Sequence, residues 1–228
     1  MIIDFHAHVL PKADHGSNSI ECSQKQIELA NEAGVQCIVA TPHFYPQKDN
    51  LAEFLSRRVA GENGIVMTTA RYGMHLLIGC EVHACPGIEH MEGIEKLCIR
   101  GTQTLLLEMP VNKEWSQALI KSVRLLKEER NFKVVLAHID RYDPEKIKNL
   151  LDMGLKAQLN AGAFVDFRKR KQAMKWVESG RVVAIGSDIH GTDIGYTQFT
   201  KALSILKERS DRIMRRSERL CKKCIRSY

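Results

Sequence analysis

Short apolar segments alternate with longer amphipathic segments along most of this chain. The apolar segments, each about the length of a buried strand, fall near 1–5, 36–41, 75–81, 103–108, 133–138, 156–160 and 182–187. The segments between them are helical in pattern and fall near 20–33, 49–60, 91–99, 114–130, 144–153, 168–179 and 195–208. Strands that alternate with helices form parallel βα units. The pattern therefore predicts an α/β fold with parallel strands.

Residues at the segment boundaries support several of these helices. Gly34 follows the first helix, where glycine readily adopts the left-handed backbone that ends a helix. Asp143 and Pro144 suit the cap and first turn of the helix near 144–153. Gly61 and Gly64 are expected to interrupt what would otherwise be one long helix before the third strand. We find no repeat or linker, and predict one domain over 1–208 followed by a basic helical tail over 209–228.

Length and composition fit a single domain with a sizeable core. The chain has 228 residues, of which 44% are hydrophobic, and α/β barrels reach this length as one domain. No apolar run approaches the ~20 residues that span a bilayer, and a strand begins at residue 2, where a signal peptide would lie. Cys37, Cys80 and Cys98 lie in apolar segments, as reduced core cysteines do. We expect a cytoplasmic protein.

Much of the net charge of +7 comes from the C-terminal tail. Its basic residues outnumber Asp211 and Glu218, and are Arg209, Arg212, Arg215, Arg216, Arg219, Lys222, Lys223 and Arg226. We interpret the tail as a solvated helix, although a surface for an anionic partner such as membrane phospholipid is the alternative. No aromatic residues are interleaved with these charges and nucleic-acid motifs are absent, so we expect no nucleic-acid partner. Cys221 and Cys224 have metal-binding spacing but lack a second pair, which argues against a zinc site.

Residues that bind metals recur at the carboxyl ends of the predicted strands. His6 and His8 are two positions apart, so their side chains project from the same face of the first strand. Such a pair alone is a weak signal, but five later strands end in the same residue types. Those residues are His43, Glu81, Glu108, His138, Asp188 and His190. The pattern indicates a multinuclear metal hydrolase with its site on the carboxyl-terminal face of a βα barrel.

Seven short segments that contain these residues follow one another in a recognisable order. They are His6-Ala7-His8, Asp14-His15-Gly16-Ser17, Ala40-Thr41-Pro42-His43, Gly79-Cys80-Glu81, Leu107-Glu108-Met109-Pro110, Ala137-His138-Ile139-Asp140-Arg141-Tyr142 and Gly186-Ser187-Asp188-Ile189-His190. Together they resemble the polymerase-and-histidinol-phosphatase (PHP) superfamily, and within it the bacterial manganese-dependent tyrosine phosphatases of capsule and exopolysaccharide clusters. The resemblance covers residues 1 to about 208. It implies a distorted seven-stranded (β/α)7 barrel with up to three metal ions.

The resemblance also implies which residues bind these ions. The first ion would be held by His6, His8, Glu81 and Asp188. Glu81 would bridge to a second ion, which Glu108 and His138 would also hold. The third ion would be held by His15, His43 and His190. Mixed imidazole and carboxylate ligands suit manganese, iron or zinc, and the resemblance favours manganese. Two cations ~3.5–4 Å apart neutralise phosphate oxygens and generate hydroxide near neutral pH. The expected reaction is attack of a metal-bridging hydroxide on phosphate.

Arg141, Glu81 and Asp188 are the expected catalytic residues. Arg141 can donate two hydrogen bonds to one phosphate, which a lysine does less well. Its neighbours Asp140 and Tyr142 either position phosphate or are solvated. The chain departs from the capsule-type pattern at two places. His15 replaces the second of two adjacent acids, and no arginine follows the last histidine within 191–196.

Three further polar residues have open roles. Asp4 either orients a metal ligand or caps the end of a strand. Asn160 either faces the substrate or serves a turn. His83 lies two residues past Glu81 and could reach the rim of the site, but no functional role is expected for it.

The leading functional hypothesis is a metal-dependent phosphatase that acts on phosphotyrosine protein, in particular the tail of a capsule-assembly tyrosine kinase. One alternative is a small-molecule phosphatase of the histidinol-phosphatase type, which uses the same metal ligands. Another is a non-catalytic metal-binding or kinase-regulating module. The large number of polar groups on one face argues against the last of these.

Overall fold

The computed structural model describes residues 1–111, 113–192 and 194–225, and the side chains up to residue 221. Asp193, three positions after His190 in the sequence, and the side chains of Lys222, Lys223, Cys224 and Arg226 therefore lie outside the described residues. The described part of the chain alternates strands with helices, and every pair of hydrogen-bonded strands is parallel. The predicted α/β fold is confirmed.

The strands form two sheets rather than one. The first contains, in spatial order, β1 (Ile3–Ala7), β2 (Cys37–Ala40) and β4 (His75–Ile78). The second contains β3 (His43–Phe44), β5 (Glu81–His83), β6 (Thr104–Glu108), β7 (Lys133–Leu136), β8 (Lys156–Asn160) and β9 (Val182–Gly186). Apolar side chains on both faces are buried, among them Phe5, Val39 and Leu107, as parallel sheets require.

The structure has nine strands in the residues it describes, because the strands predicted near 36–41 and 75–81 are each followed closely by a second, shorter strand. Pro42 separates β2 from β3, because proline has no N–H to donate to a neighbouring strand. Its carbonyl oxygen accepts a hydrogen bond from Glu81 N at 3.0 Å, at the start of β5. The last strand still reaches the first, since Asp188 N donates to His6 O at 2.8 Å.

Eight α-helices cover the sheets within the described residues. They are α1 (Ile20–Glu32), α2 (Leu51–Arg71), α3 (Gln117–Glu128), α4 (Pro144–Asp152), α5 (Gly162–Val165), α6 (Phe167–Glu178), α7 (Gly195–Leu206) and α8 (Glu208–Ile225). The predicted helix near 91–99 is wrong: two short 3-10 helices, Ile88–His90 and Ile94–Leu97, take its place. Gly93 between them has a φ of 77°, which is incompatible with a continuous right-handed helix.

The predicted interruption at Gly61 and Gly64 is also wrong, because α2 runs through both residues. A Cβ atom on Gly61 would lie 3.0 Å from Leu10 Cβ and 3.3 Å from Pro11 O. The two glycines therefore let the helix approach the loop that follows β1. This contact matters for the site, because the same loop continues to Asp14 and His15.

The basic tail is helical up to residue 225 and packs against the sheets through one face. Ile213, Met214, Ser217 and Cys221 are buried, and Ser217 Oγ donates to Val183 O at 2.9 Å. Arginines on the other face are exposed, including Arg212, Arg215 and Arg219. Within the described residues, no helix has the length and apolar character needed to cross a membrane.

Candidate metal centre

Ligand-type side chains that lie at or just after the carboxyl ends of six strands, β1, β2, β4, β6, β7 and β9, meet in one cluster. Two of them, His43 and Glu81, are the first residues of the short strands β3 and β5. The side chains of His6, His8 and Glu81 are almost completely buried there, and His138 joins them from the end of β7. Every residue that the sequence predicted as a metal ligand lies in this cluster or against it. These residues are His6, His8, His15, His43, Glu81, Glu108, His138, Asp188 and His190.

One group of four donor atoms has the dimensions of a metal site. His6 Nε2 and His8 Nε2 lie 3.0 Å apart, and Glu81 Oε2 lies 3.1 and 3.3 Å from them. Asp188 Oδ1 lies 3.6 and 3.4 Å from the same two nitrogens. Donors bound tetrahedrally at ~2.1 Å from one ion are roughly 3.4 Å apart. The observed separations therefore fit a single divalent ion.

Glu81 also reaches a second set of donors with its other oxygen. His138 Nε2 lies 2.7 Å from Glu81 Oε1 and 3.5 Å from Glu108 Oε1. The two oxygens of Glu81 thus face different imidazoles, Oε2 towards His6 and His8, and Oε1 towards His138. This arrangement is suited to a carboxylate shared by two ions.

A third group consists of imidazoles. The donor atoms of His8, His43 and His190 lie within 4.8 Å of one another. His15 is not among these three donors, but its ring is stacked on that of His43 with a centroid distance of 4.8 Å. It also lies 4.9 Å from the ring of His190. The structure therefore places four imidazoles around this part of the centre.

Buried polar residues hold the ligands, and sequence reasoning missed two of them. Asp14 Oδ2 accepts hydrogen bonds from His8 Nδ1 at 2.6 Å and from His43 N at 2.8 Å. Gln158 Oε1 is 3.2 Å from His6 Nδ1 and accepts from His138 N at 2.6 Å. Such partners fix the orientation and tautomer of metal-binding imidazoles. For Gln158, the available signal was its spacing from Asn160: the two polar residues are two positions apart at the end of β8, so their side chains share one face of the strand.

The open roles of Asp4, Asn160 and Tyr142 can now be described. Asp4 accepts from Ser187 N at 2.8 Å and Ser187 Oγ at 2.6 Å, which fixes the turn that carries Asp188. Asn160 Nδ2 donates to Asp188 Oδ2 at 2.8 Å, so it contacts a ligand directly. Tyr142 OH lies 3.2 Å from His138 Nδ1 and accepts from Met109 N.

His83 reaches the rim of the centre. His83 Nδ1 lies 3.1 Å from Glu108 Oε2, so the residue belongs to the rim of the centre. Pairing across β5 and β6 brings them together, because His83 lies opposite Glu108 in the parallel register.

Arg141 pairs with a ligand rather than with its neighbours in sequence. Its Nη2 atom donates to Asp188 Oδ2 in a very short contact, and its side chain remains 41% exposed. Asp140 instead accepts from Asn160 N and from Lys169 Nζ, the latter at 3.3 Å. Arg141 is therefore anchored at the centre while part of its guanidinium faces the opening.

The backbone around the ligands is unusual at three positions. His138 and Asp188 have φ values of 30° and 52°, in the left-handed region that residues other than glycine rarely adopt. Strain of this kind is concentrated at functional sites. A Cβ atom on Gly16 would lie 2.1 Å from His8 Cβ, so only glycine permits this close approach.

The buried acids and imidazoles of the centre shift one another's pKa values. Burial disfavours charge on His138, but attraction to Glu81 and hydrogen bonds raise its pKa to about 9. Burial also opposes ionisation of Glu108, yet hydrogen bonds from His138 and His83 lower its pKa to about 2. Burial and the positive charge of His8 lower the pKa of His190 to about 4. The opposite shifts of Glu108 and His138 therefore favour a carboxylate beside a protonated imidazole.

Two buried atoms at the middle of the cluster lack properly directed hydrogen bonds among the described residues. They are His43 Nδ1 and Glu81 Oε2, which lie 3.0 Å apart. Buried polar atoms are normally satisfied, and each exception calls for a partner. A divalent ion bound between these donors would supply that partner. The donor set, its spacing and these two atoms all fit metal binding.

Comparison with known families agrees with this centre. The family model for capsular polysaccharide synthesis, CpsB/CapC, matches residues 2–220 of the chain. The chain belongs to the CpsB/CapC family. This membership confirms the resemblance inferred from the seven sequence segments.

Two relatives and one structural neighbour extend the comparison. The tyrosine-protein phosphatase YwqE of Bacillus subtilis (strain 168) is 23% identical over 218 residues, covering 91% of this chain and 84% of the relative. The putative tyrosine-protein phosphatase CapC of Staphylococcus aureus is 26% identical, covering 83% and 77%. A chain from the structures of YwqE and Streptococcus pneumoniae CpsB, described as unique metal-dependent tyrosine phosphatases, matches with a TM-score of 0.82 and 19% identity, covering 97% and 94%. At this identity the structural match establishes a shared fold.

Proposed function

We propose that this CpsB/CapC family member is a metal-dependent phosphoric monoester hydrolase that removes phosphate from phosphotyrosine in protein. The observation that carries the proposal is Glu81, whose two oxygens face two separate sets of imidazole and carboxylate donors. Arg141 lies beside these donors with part of its guanidinium exposed. The names of the relatives YwqE and CapC support tyrosine phosphate as the substrate.

We assign the ions as the sequence resemblance implies. His6, His8, Glu81 and Asp188 would hold the first ion, while Glu108 and His138 would complete a second site with Glu81. His15, His43 and His190 would hold a third, with His8 close enough to contribute. Manganese is favoured, with iron or zinc as alternatives, because magnesium prefers oxygen ligands to imidazoles.

When bound, the ions would neutralise phosphate oxygens and provide hydroxide near neutral pH. The reaction joins an oxygen from water to phosphorus and breaks the bond from phosphorus to the phenolic oxygen of tyrosine. Arg141 would donate hydrogen bonds to the phosphate oxygens, and Asp188 would hold its guanidinium in place. Tyr142, Gln158 and Asp14 would keep the imidazoles fixed while charge shifts during the reaction.

For the wider setting, we propose the tail of a capsule- or exopolysaccharide-assembly tyrosine kinase as the protein substrate, and the cytoplasm as the compartment. The exposed arginines of α8 would add at most weak association with an anionic surface. We also propose that the two sheets are one distorted (β/α)7 barrel over residues 1–208. The hydrogen bond from Asp188 N to His6 O, which links the last strand to the first, supports this view.

The experiment measures p-nitrophenyl phosphate hydrolysis by chelated protein and by the same sample after manganese is added, with bound metal quantified alongside. We expect turnover to depend on manganese and Asp188→Asn to reduce both metal content and rate. Asp152→Asn is the matched control, because Asp152 is exposed and pairs with Lys148. Full activity without metal would contradict the proposal. Full metal content without turnover would favour a regulatory module instead.

A further inference from the structure

A cleft of ≈ 440 Å³ opens beside the metal centre. Two residues that line it also touch the candidate ligands: Arg141 pairs with Asp188, and Tyr142 OH lies 3.2 Å from His138 Nδ1. The cleft therefore begins where the phosphate site ends. It is too large for a phosphate group alone, and none of its other lining residues belongs to the metal centre.

Trp115 forms a fixed aromatic wall in this cleft. Its Nε1 atom donates to Pro110 O at 3.0 Å, and its ring packs edge-on against Tyr142 at 5.6 Å. The ammonium of Lys146 lies 5.9 Å from the ring centroid on the same wall. A wall already held in place needs little ordering when it binds a ligand, which favours contact with a peptide.

The charges of the cleft favour an acidic ligand. Lys113, Lys146 and Arg141 line it together with two acids, Glu114 and Asp143. Asp143 Oδ1 is occupied at the start of α4, where it accepts from Glu145 N at 2.8 Å. Glu114 pairs with Lys146 at 2.8 Å, but its side chain is 91% exposed.

An exposed ion pair of this kind contributes little to stability and exchanges easily. A carboxylate from a ligand could therefore replace Glu114 as the ion-pair partner of Lys146. A substrate acid that replaced Glu114 would also benefit from Lys113 and from the partly exposed Arg141.

A second cleft of ≈ 400 Å³ continues from the first and shares Glu114, Trp115 and Lys146 with it. Its far side is lined by Leu150, Met153 and Asp152, and the carboxylate of Asp152 is paired with Lys148 at 2.7 Å. The two clefts together form a trough that leads away from the metal centre along α4. Because the trough continues beyond the phosphate site, it suits an extended polypeptide better than a small phosphate ester.

We infer that this trough binds the polypeptide next to the phosphotyrosine and selects an acidic side chain there through Lys146 and Lys113. The inference rests on the proposed function, because it takes phosphotyrosine as the group that reaches the metals. It adds a preference for sequence that the metal centre alone cannot provide.

The test compares three phosphotyrosine peptides that differ only in the residues flanking the tyrosine, which are glutamate, alanine or lysine. We expect kcat/KM to fall from the first peptide to the third, by about two- to fivefold at each step, and the differences to shrink in high salt. Lys146→Glu should reverse this order and leave p-nitrophenyl phosphate hydrolysis unchanged. Lys171→Glu is the control, because Lys171 is an exposed lysine on α6, outside the trough, and should preserve the order.

A second measurement separates this inference from the proposed function. In Trp176→Phe, Trp115 is the remaining tryptophan, and its fluorescence reports binding of non-hydrolysable phosphonate versions of the same peptides. Binding in the expected order without cleavage of the phosphopeptides would support the trough and overturn the phosphatase proposal. Cleavage at equal kcat/KM for all three peptides, or equal effects of Lys146→Glu and Lys171→Glu, would overturn the trough.

Discussion

Replacement of Arg141 by alanine tests whether this residue binds substrate phosphate. The substitution removes the guanidinium that donates to Asp188 Oδ2. Asp188 keeps its hydrogen bond from Asn160 Nδ2, and its other oxygen remains beside His6 and His8. We therefore expect Arg141→Ala to retain its metal ions.

The expected loss of activity follows from the position of the guanidinium. A charge-assisted hydrogen bond contributes ~1.5–3 kcal/mol, and a water-excluded site increases that figure. Because the Arg141 side chain is 41% exposed, the increase should be small. We expect kcat/KM to fall about ten- to a hundredfold, at ~1.4 kcal/mol per factor of ten. Arg141→Lys should recover only part of this loss, since a point charge cannot make two parallel hydrogen bonds.

The assay is steady-state hydrolysis of a phosphotyrosine peptide, with the metal content of each variant measured on the same sample. Lys169→Ala is the control, because Lys169 is a nearby cation whose described partner is Asp140 rather than a metal ligand. We expect it to change kcat/KM little. Near-normal turnover by metal-loaded Arg141→Ala would refute the phosphate contact. Loss of metal in step with activity would show instead that Arg141 acts by holding Asp188.

Four further outcomes are expected. Glu81→Gln should reduce metal content and rate more than Glu108→Gln, because Glu81 faces two sets of donors; equal, small losses would count against a shared carboxylate. Manganese binding at pH 7.5 should release a proton from His138, whose pKa is raised to about 9, and the number of protons released should fall as the pH passes that value; calorimetry in buffers of different ionisation enthalpy measures it. Gln158→Leu should weaken metal binding about 10–100-fold in an equilibrium titration, because two ligands lose their anchor. Manganese should restore the chelated enzyme better than magnesium; full recovery with magnesium alone would exclude the imidazole-rich site.

The fold class and most candidate ligands could be predicted because both depend on short-range pattern. Alternation along a strand places His6 and His8 on one face whatever the rest of the chain does. Parallel strands place their carboxyl ends at one edge, so Glu108 and His138 could be expected near each other before any distance was known.

The features that sequence did not predict depend on contacts between distant parts of the chain. Gln158 bonds to His6, 152 positions away, and no local pattern specifies that partner. Glycine has a low helix propensity, so Gly61 argues against a helix by sequence alone. Its role depends on the loop after β1, which packs too closely against α2 for a larger residue. The contact of His83 with Glu108 depends on the register of β5 against β6, which the sequence does not specify.

The most direct test of the central claim compares two phosphate esters with the manganese-loaded protein. A phosphotyrosine peptide and histidinol phosphate are each supplied over a range of concentrations, and released phosphate is measured to give kcat/KM. We predict a kcat/KM for the peptide that is higher by about tenfold or more. A higher kcat/KM for histidinol phosphate would contradict the claim that the protein acts on phosphotyrosine.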